Sequence, residues 1–338
     1  MPQAAAKIFD CFLFSGELDV LEHRLRTLSG VVTTFVLVEA TTTFQGRPKP
    51  VYFVEQRERF SRWLGQVRHV VAELAEAESP WDREREQHRA FATNLFDADP
   101  DDLVLVGDCD EIPFVDVVRK LASGVWPPTR LHMRNAVYWA NTVRSESWTD
   151  GTMAFRWKDR DHAALAMLLG RPEAVWGRVP DPASIDEGGW HFGDLGGISW
   201  IARKLASFSH TELSAPSFSA AVHLERCRSL GVDYRSSEML ELLTPARLPP
   251  DVKAVEQILP SAIRRDGFPP RLARALYAAF SASRRRLPPG LVAWADRHIV
   301  LFLALFGLPI YAARRGRSPL RRAAKAFLRP AASRGASA

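Results

Sequence analysis

The feature that most constrains this chain is a series of four short, almost continuously apolar segments with helical patterns between them. The apolar segments are KIFDCFLF (7–14), VVTTFVLVEA (31–40), QVRHVVAEL (66–74) and DLVLVGD (102–108). The helical patterns cover 17–28, about 51–64 and about 81–96. Strands without polar alternation are buried on both faces, and strands that alternate with helices pair in parallel. The predicted fold class is therefore α/β, with a mostly parallel, Rossmann-like sheet and helices on both faces.

The residues beyond 125 show a less regular pattern. Strand-like segments at 131–143 and 151–159 are followed by helical patterns at about 198–209 and 218–230. We therefore expect a mixed second half of the sheet with covering helices. The predicted divisions are an α/β domain at 1–245, an irregular or helical extension at 246–297, and an apolar and basic tail at 298–338.

The excess positive charge of the chain is confined to its C-terminal end. The whole chain has 45 Lys and Arg against 39 Asp and Glu, and residues 298–338 contain eight Lys or Arg and no acidic residue. The first 297 residues thus hold 37 basic and 39 acidic side chains. A nearly neutral body argues against nucleic acid as a partner.

The tail has two features that favour a membrane surface. Residues 299–313 form an uncharged stretch of fifteen residues, about 22 Å as a helix and thus short of the roughly 30 Å hydrocarbon core. Beyond it, a basic face of Arg321, Arg322 and Lys325 alternates at helical spacing with an apolar face. We expect this tail to bind the surface of a membrane peripherally. The alternative is a buried helix followed by a solvated basic segment.

The cysteines and the first residues favour a reducing compartment. Cys11, Cys109 and Cys227 are odd in number and lack metal-ligand spacing, which is typical of free thiols. The segment MPQAAAKIFDCF lacks the charged and apolar regions of a secretory signal. We therefore expect a cytoplasmic protein at the inner face of a membrane.

An acidic motif follows the fourth apolar segment. Asp108, Asp110 and Glu111 stand within four positions, where a parallel sheet binds its ligands at the carboxyl ends of strands. Carboxylates this close repel one another unless a cation neutralises them. Asp108 and Asp110 are therefore predicted to bind Mg²⁺ or Mn²⁺ that carries a diphosphate. The alternative is an acidic, solvated turn.

Two further segments carry candidate binding residues. His191 lies in GGWHFGD, where glycines would let the backbone approach a ligand, although a histidine beside a tryptophan is more often a core residue. Arg83 and Arg89 lie in WDREREQHR, where they are candidates to pair with nucleotide phosphates. The alternative for that segment is a solvated helix face with opposite charges three and four residues apart.

Several of these segments together resemble glycosyltransferase family 17. The similarity rests on KIFDCFLFSGELDVLEHRL, FVLVEATTTFQGRPKP, LVGDCDEIP, GGWHF and SFSHTE, which follow one another in the family's order between residues 7 and 240. The helix before the acidic motif keeps Trp81, Arg83, Glu84 and Gln87 of the family pattern, whereas His88 stands in place of an arginine and Arg89 follows.

The resemblance implies a GT-A-type fold and a metal-dependent, inverting transfer of N-acetylglucosamine from UDP-GlcNAc. The acceptor would be a mannose-containing or other glycan, or a lipid-linked saccharide, with a β-1,4 linkage formed. Asp108 and Asp110 match the family's D-x-D motif, Asp108 also meets the nucleotide sugar, and His191 adds a metal or phosphate contact. Glu39, at the end of the second strand, falls where such folds meet the nucleoside.

An inverting transfer also needs a base that deprotonates the acceptor hydroxyl. The candidates are the carboxylates around GGWHF, namely Glu187, Asp194 and Asp186, with Glu187 preferred. The competing hypothesis is a non-catalytic carbohydrate- or membrane-binding protein that keeps the fold alone.

Overall fold

The computed structural model describes residues 6–74, 78–162, 165 and 182–299. These residues form two compact units. The first comprises the described part of Met1–Thr211 with Leu243–Arg265, and the second comprises Glu212–Leu242 with the described part of Asp266–Ala338. All but the first two residues of the predicted tail lie outside the described residues. Within the described ranges, no helix is long and apolar enough to cross a membrane.

A single large sheet organises the first unit. Its strands and one short strand outside it are β1 (Ile8–Leu13), β2 (Thr34–Ala40), β3 (Val67–Ala72), β4 (Leu103–Asp108), β5 (Glu111–Pro113), β6 (Thr129–Asn135), β7 (Thr142–Val143), β8 (Met153–Arg156) and β9 (Ala183–His191). All of these but β7 pair, among the described residues, in the order β3-β2-β1-β4-β8-β6-β9-β5.

Strand directions confirm the predicted fold class. β3, β2, β1 and β4 are parallel neighbours, and β8 runs antiparallel between β4 and β6. β9 is parallel to β6, and β5 is antiparallel to β9. It follows that β1 to β4, β6 and β9 all end at the same edge of the sheet, which we call the carboxyl edge.

The helices of both units include those that the sequence predicted at 17–28, about 81–96, about 198–209 and about 218–230, with some differences at their ends. They are α1 (Leu18–Leu28), α2 (Tyr52–Glu55), α3 (Pro80–Thr93), α4 (Val115–Ser123), α5 (Ile198–Leu205), α6 (Pro216–Ser219), α7 (Ala221–Leu230), α8 (Pro250–Lys253), α9 (Arg271–Arg284) and α10 (Pro289–Arg297). Helices α6, α7, α9 and α10, with the short strand β10 (Glu241–Leu242), belong to the second unit.

Apolar residues on both faces of β1 explain why helices cover both faces of the sheet. Ile8 and Phe12 join a cluster with Leu25 of α1, whereas Cys11 joins a separate cluster with Phe91 of α3. Successive side chains of a strand point to opposite faces, so a strand without polar alternation needs a helix on each side. The predicted burial of this strand on two faces is confirmed.

Several predicted elements are shorter than expected, including β8, which covers only Met153–Arg156 of the strand predicted at 151–159. β6 ends at Asn135, and the apolar residues that follow form a turn in which Val137 N donates to Thr142 O at 2.8 Å and Tyr138 has a left-handed φ of 68°. The apolar run reflects burial of this turn rather than a strand through 143. The helix expected at about 51–64 is α2 followed by a 3-10 helix at Arg57–Trp63.

The second unit contains polar contacts in its interior. Arg284, fully buried, donates from Nε to Asp296 Oδ1 at 3.1 Å. The side chains of His223 and Tyr277 meet at 2.9 Å between Nδ1 and the hydroxyl oxygen. Burial lowers the pKa of His223 to about 3, so its ring is neutral inside this unit.

Candidate active site at the carboxyl edge

The acidic motif lies at the carboxyl edge, as predicted. β4 ends at Asp108, the chain turns through Cys109 and Asp110, and β5 begins at Glu111. β5 pairs with the end of β9, so that Glu111 stands opposite His191. The structure thus brings Asp108, Asp110 and His191 together, although the last is far away in the sequence.

Asp110 is the carboxylate of the acidic motif that its surroundings keep ionised. Its side chain is buried, and Oδ2 accepts a hydrogen bond of 2.6 Å from Lys204 Nζ. Oδ1 is buried without a hydrogen-bond donor and lies 3.7 Å from His191 Nε2. Although burial favours the protonated form, the charges of Lys204 and His191 lower the pKa of Asp110 to about 2. The carboxylate is therefore ionised at any physiological pH.

Lys204 is a site residue that the sequence did not reveal. It lies on α5, and its Nζ also donates to Gly193 O at 3.0 Å. Burial opposes its charge, but Asp110, Glu17 and Asp194 outweigh burial and raise its pKa above the ordinary value. A basic residue in the last turn of an amphipathic helix is usually solvated, so only the fold places Lys204 at the motif.

Asp108 lies at the solvent-exposed side of the motif. Its side chain is exposed, yet the surrounding protein and the negative charges of Glu111 and Asp110 raise its pKa well above the ordinary value. An exposed carboxylate that is repelled by its neighbours is stabilised in its charged form when a cation binds. This is the environment that the metal prediction requires.

Glu111 is a buried residue that holds the acidic turn in place through hydrogen bonds. Its Oε1 accepts from Trp148 Nε1 at 2.7 Å, and its Oε2 accepts from Asp108 N at 3.3 Å. Burial and the charge of Asp110 raise its pKa to about 7. A Cβ on Gly107 would lie 2.5 Å from Glu111 Oε2, so a larger residue there would displace the Glu111 carboxylate. We assign Glu111 to positioning, because its side chain is only 3% exposed.

The glycines near His191 let neighbouring strands pack. A Cβ on Gly189 would lie 2.3 Å from Ile112 O, and one on Gly188 would lie 2.8 Å from Leu131 Cβ. The expectation that they also bring the backbone close to a ligand stays a prediction. The ring of His191 itself stacks on Trp148, with 4.5 Å between the centroids.

Three residues predicted to bind the nucleotide sugar have protein partners in this structure. Glu39 is fully buried and accepts from Tyr52 N and Phe53 N at 3.0 and 3.1 Å, which fixes the start of α2. Arg83 donates to Phe44 O at 3.1 Å, and Arg89 pairs with Glu86 at 2.7 Å on the surface of α3. Their roles as nucleotide ligands stay predictions.

The candidate bases lie in different surroundings. Glu187 pairs with Arg134 at 2.9 Å and lines a cavity of about 200 Å³ together with Trp190. Its left-handed φ of 53° accompanies a bulge in the pairing of β6 with β9. Asp194, in contrast, is 1% exposed and contributes to the charge around Lys204.

Other segments of the family pattern converge on the same edge. The loop after β2 is fixed there because Gln45 Nε2 donates to Leu205 O and Phe208 O at 3.3 and 3.2 Å. At the start of α3, the ring of Trp81 meets His210 edge to face at 4.8 Å. Segments that are far apart in the sequence therefore surround the acidic motif.

The donor atoms fit a hard divalent cation that is shared with a phosphate. No group of three or more His, Cys, Asp or Glu side chains able to hold a metal ion occurs in the described ranges. Mg²⁺, however, is usually held by one or two carboxylates with water and substrate phosphate, and carboxylates also suit Mn²⁺. Asp110 Oδ1, buried without a donor, and the exposed Asp108 carboxylate provide such a pair.

Comparison with known proteins shows similarity to one family. Residues 1–165 match the sequence profile of glycosyltransferase family 17. Enzymes named β-1,4-mannosyl-glycoprotein 4-β-N-acetylglucosaminyltransferase from Rattus norvegicus and Homo sapiens are each 30% identical to this chain over 146 residues. Each alignment covers 39% of this chain and 27% of the relative, so the chain spans about a quarter of the length of these relatives. The resemblance to glycosyltransferase family 17 is thus confirmed over residues 1–165, the part of the chain that contains β1 to β4 and the acidic motif.

Proposed function

We propose that this protein is a glycosyltransferase that moves N-acetylglucosamine from UDP-GlcNAc to a hydroxyl group of a glycan, with inversion at the anomeric carbon. The acceptor is a mannose-containing or other glycan, or a lipid-linked saccharide. The observation that carries the proposal is the placement of Asp108 and Asp110 at the carboxyl edge of a Rossmann-like sheet, within the segment that matches the family. The similarity to enzymes named as N-acetylglucosaminyltransferases supports the choice of sugar.

The acidic motif would hold Mg²⁺ or Mn²⁺ together with the donor. Asp108 and Asp110 supply the carboxylates, and His191 lies beside Asp110 Oδ1 as a further contact. The ion supplies positive charge to the diphosphate that departs. The chain positions these ligands through Glu111, which binds the backbone of Asp108, and through the stacking of His191 on Trp148.

We assign the base to Glu187. Its carboxylate is 69% exposed and lines a cavity, so an acceptor hydroxyl can approach it, whereas Asp194 is almost fully buried. Arg134 Nη2 donates to Glu187 Oε1 at 2.9 Å and holds the carboxylate in place. Replacement of Glu187 by Gln should therefore lower turnover with little change in affinity for UDP-GlcNAc.

The test of the proposal is a transfer assay with the full chain. UDP release from UDP-GlcNAc is measured with Mn²⁺ and a panel of mannose-containing oligosaccharides, and Asp110→Asn is the inactive control. Metal-dependent release that requires an acceptor supports the proposal. Saturable glycan binding without release from any donor would favour the competing hypothesis of a non-catalytic carbohydrate-binding protein.

Membrane association through residues 298–338, at the cytoplasmic face, is part of this proposal. It is supported by the eight Lys or Arg residues of that tail, which has no acidic residue. Sedimentation of the full chain with vesicles that contain anionic lipid tests it, and a chain that ends at residue 297 is the control. Equal sedimentation of both chains would contradict the tail's role.

A further inference from the structure

A positively charged side chain, that of Lys204, lies at the carboxyl edge. Lys204 Nζ is held between Asp110 Oδ2 at 2.6 Å and Gly193 O at 3.0 Å. The lysine side chain is 22% exposed, whereas that of Asp110 is 4% exposed. An ammonium group has three N–H donors, and these contacts use two of them. One donor of Lys204 therefore has no acceptor among the described residues.

The partner of this lysine also has an unused atom. Asp110 Oδ1 is buried and accepts no hydrogen bond within the described residues. A buried acceptor without a donor is costly unless a ligand or ion satisfies it, whereas the third N–H of the partly exposed Lys204 is accessible to a ligand. A ligand that satisfies both groups must provide an acceptor oxygen for Lys204 Nζ and a cation for Asp110 Oδ1.

We propose that Lys204 Nζ binds the diphosphate of the nucleotide sugar and stabilises its negative charge as it leaves. The inference rests on the proposed function and deepens it, because it assigns a protein cation to the leaving group. In the transfer, the bond between the anomeric carbon and the diphosphate oxygen breaks, and its electron pair stays on that oxygen. The acceptor oxygen forms the new bond and gives its proton to the base.

Charge balance at the motif explains why a lysine is needed. Asp108 and Asp110 stand together, and Glu111 adds negative charge behind them, so a diphosphate that approaches meets repulsion. Arg24, the nearby guanidinium, is fully buried and paired with Asp10. Lys204 is an ammonium that contacts the motif directly and keeps an N–H for the phosphate. A positively charged group that is already in position stabilises the negative charge that develops on the leaving group in the transition state.

The experiment measures binding of inorganic pyrophosphate and of UDP by calorimetry, with EDTA and with Mn²⁺, to the full chain and its variants. The variants are Lys204→Met and Lys204→Arg. The matched control is Lys158→Met, because Lys158 also pairs with an aspartate, Asp101, at 2.7 Å, at the opposite edge of the sheet. Thermal unfolding of each variant shows whether it folds.

We expect Lys204→Met to weaken pyrophosphate binding at least tenfold, in EDTA as well as in Mn²⁺, and to lower kcat more than it raises KM. Lys204→Arg should restore part of the affinity, and Lys158→Met should behave as the wild type. A folded Lys204→Met variant with wild-type affinity for pyrophosphate would overturn the inference. If that variant also turns over UDP-GlcNAc, the role of Lys204 is disproved and the proposed function stands. If the wild-type chain turns over no nucleotide sugar, the proposed function itself is disproved.

A measurement on the wild-type chain covers the case in which Lys204→Met does not fold. Acetic anhydride labels lysines according to the access of their amines, and mass spectrometry follows each site. Pyrophosphate should slow acetylation of Lys204 severalfold and leave Lys158 unchanged. Equal slowing at both sites, or none at Lys204, would overturn the inference as well.

Discussion

Arg24 on α1 and Asp10 on β1 form a two-pronged ion pair with no exposure to solvent. The Arg24 Nε and Nη2 atoms donate to the two Asp10 oxygens at 2.8 and 2.6 Å. The remaining nitrogen, Nη1, donates to the backbone carbonyls of Asp108 at 2.9 Å and Glu111 at 2.6 Å. The pair thus fixes the backbone of the acidic turn from inside the core, and we regard it as the main positioning device of the site.

Replacement of Arg24 by Met should destabilise the protein strongly. It leaves Asp10 as a buried, unpaired charge, which costs about 3–5 kcal/mol. The free energy of unfolding in urea checks this, and Arg26→Met on the same helix is the matched control. Arg26 pairs with Glu22 in an exposed position, so that its loss should cost less than about 1 kcal/mol. Equal losses for both variants would contradict the role of the buried pair.

A methyl group at Gly189 should separate β5 from β9. The Cβ of Gly189→Ala would lie 2.3 Å from Ile112 O and 2.8 Å from Pro113 Cα, both of them backbone atoms that cannot rotate away. We expect a loss of about 1–3 kcal/mol in the free energy of unfolding. Gly65→Ala, where no atom lies within 4 Å of the new Cβ, should cost far less. A Gly189→Ala variant as stable as Gly65→Ala would show that the strand pairing differs from that described.

Loss of the indole donor at Trp148 should loosen the acidic turn. Trp148→Phe keeps the aromatic ring beside His191 but leaves Glu111 Oε1 without its 2.7 Å hydrogen bond. A buried acceptor without a partner costs about 1–3 kcal/mol, and we expect lower turnover as well. The control is Trp126→Phe, whose indole donates to Lys120 O in an exposed position. Activity and stability that change equally in the two variants would contradict this account.

The stability of the protein should fall in acid because of His23. Burial, with a smaller effect of the Arg26 charge, lowers the pKa of His23 from 6.5 to about 4. Between pH 6.5 and about pH 4, His23 is protonated in the unfolded chain but neutral in the folded chain. The stability that this neutral ring contributes is therefore fully present above pH 6.5 and is lost as the pH falls towards 4. The loss amounts to roughly 3 kcal/mol.

The measurement is the free energy of unfolding from pH 7 to pH 4 for the wild type and His23→Gln. The variant should show a shallower slope, because its side chain takes up no proton in the unfolded state. His223 in the second unit adds dependence in the same direction and remains in both proteins. Identical slopes would mean that His23 takes up its proton at the same pH in the folded and the unfolded protein.

The sequence predicted the strands of the parallel half well because their burial is continuous. In β1, β2 and β4 nearly every residue must be apolar, and such runs are visible without a structure. The acidic motif was predicted for a related reason, since carboxylates stand out after an apolar strand. The turn after β6 shows the limit of this argument, because its apolar residues are buried without forming a strand.

The partners of the motif could not be predicted, because tertiary contacts determine them. Lys204 lies 94 positions after Asp110, and no local pattern links the two. Arg24 looks like one more basic residue of α1, and Asp10 like an exception within an apolar strand. The signal that was available is Asp10 itself, since a charge in a strand buried on both faces requires a buried partner.

The measurement that tests the central claim most directly is a calorimetric titration of the full chain with UDP-GlcNAc, with and without Mn²⁺. We expect saturable binding that Mn²⁺ strengthens and that Asp108→Asn and Asp110→Asn abolish, while thermal unfolding shows that both variants remain folded. UDP-GlcNAc binding that is unchanged in folded Asp108→Asn and Asp110→Asn variants would contradict the assignment of the donor site to the carboxyl edge.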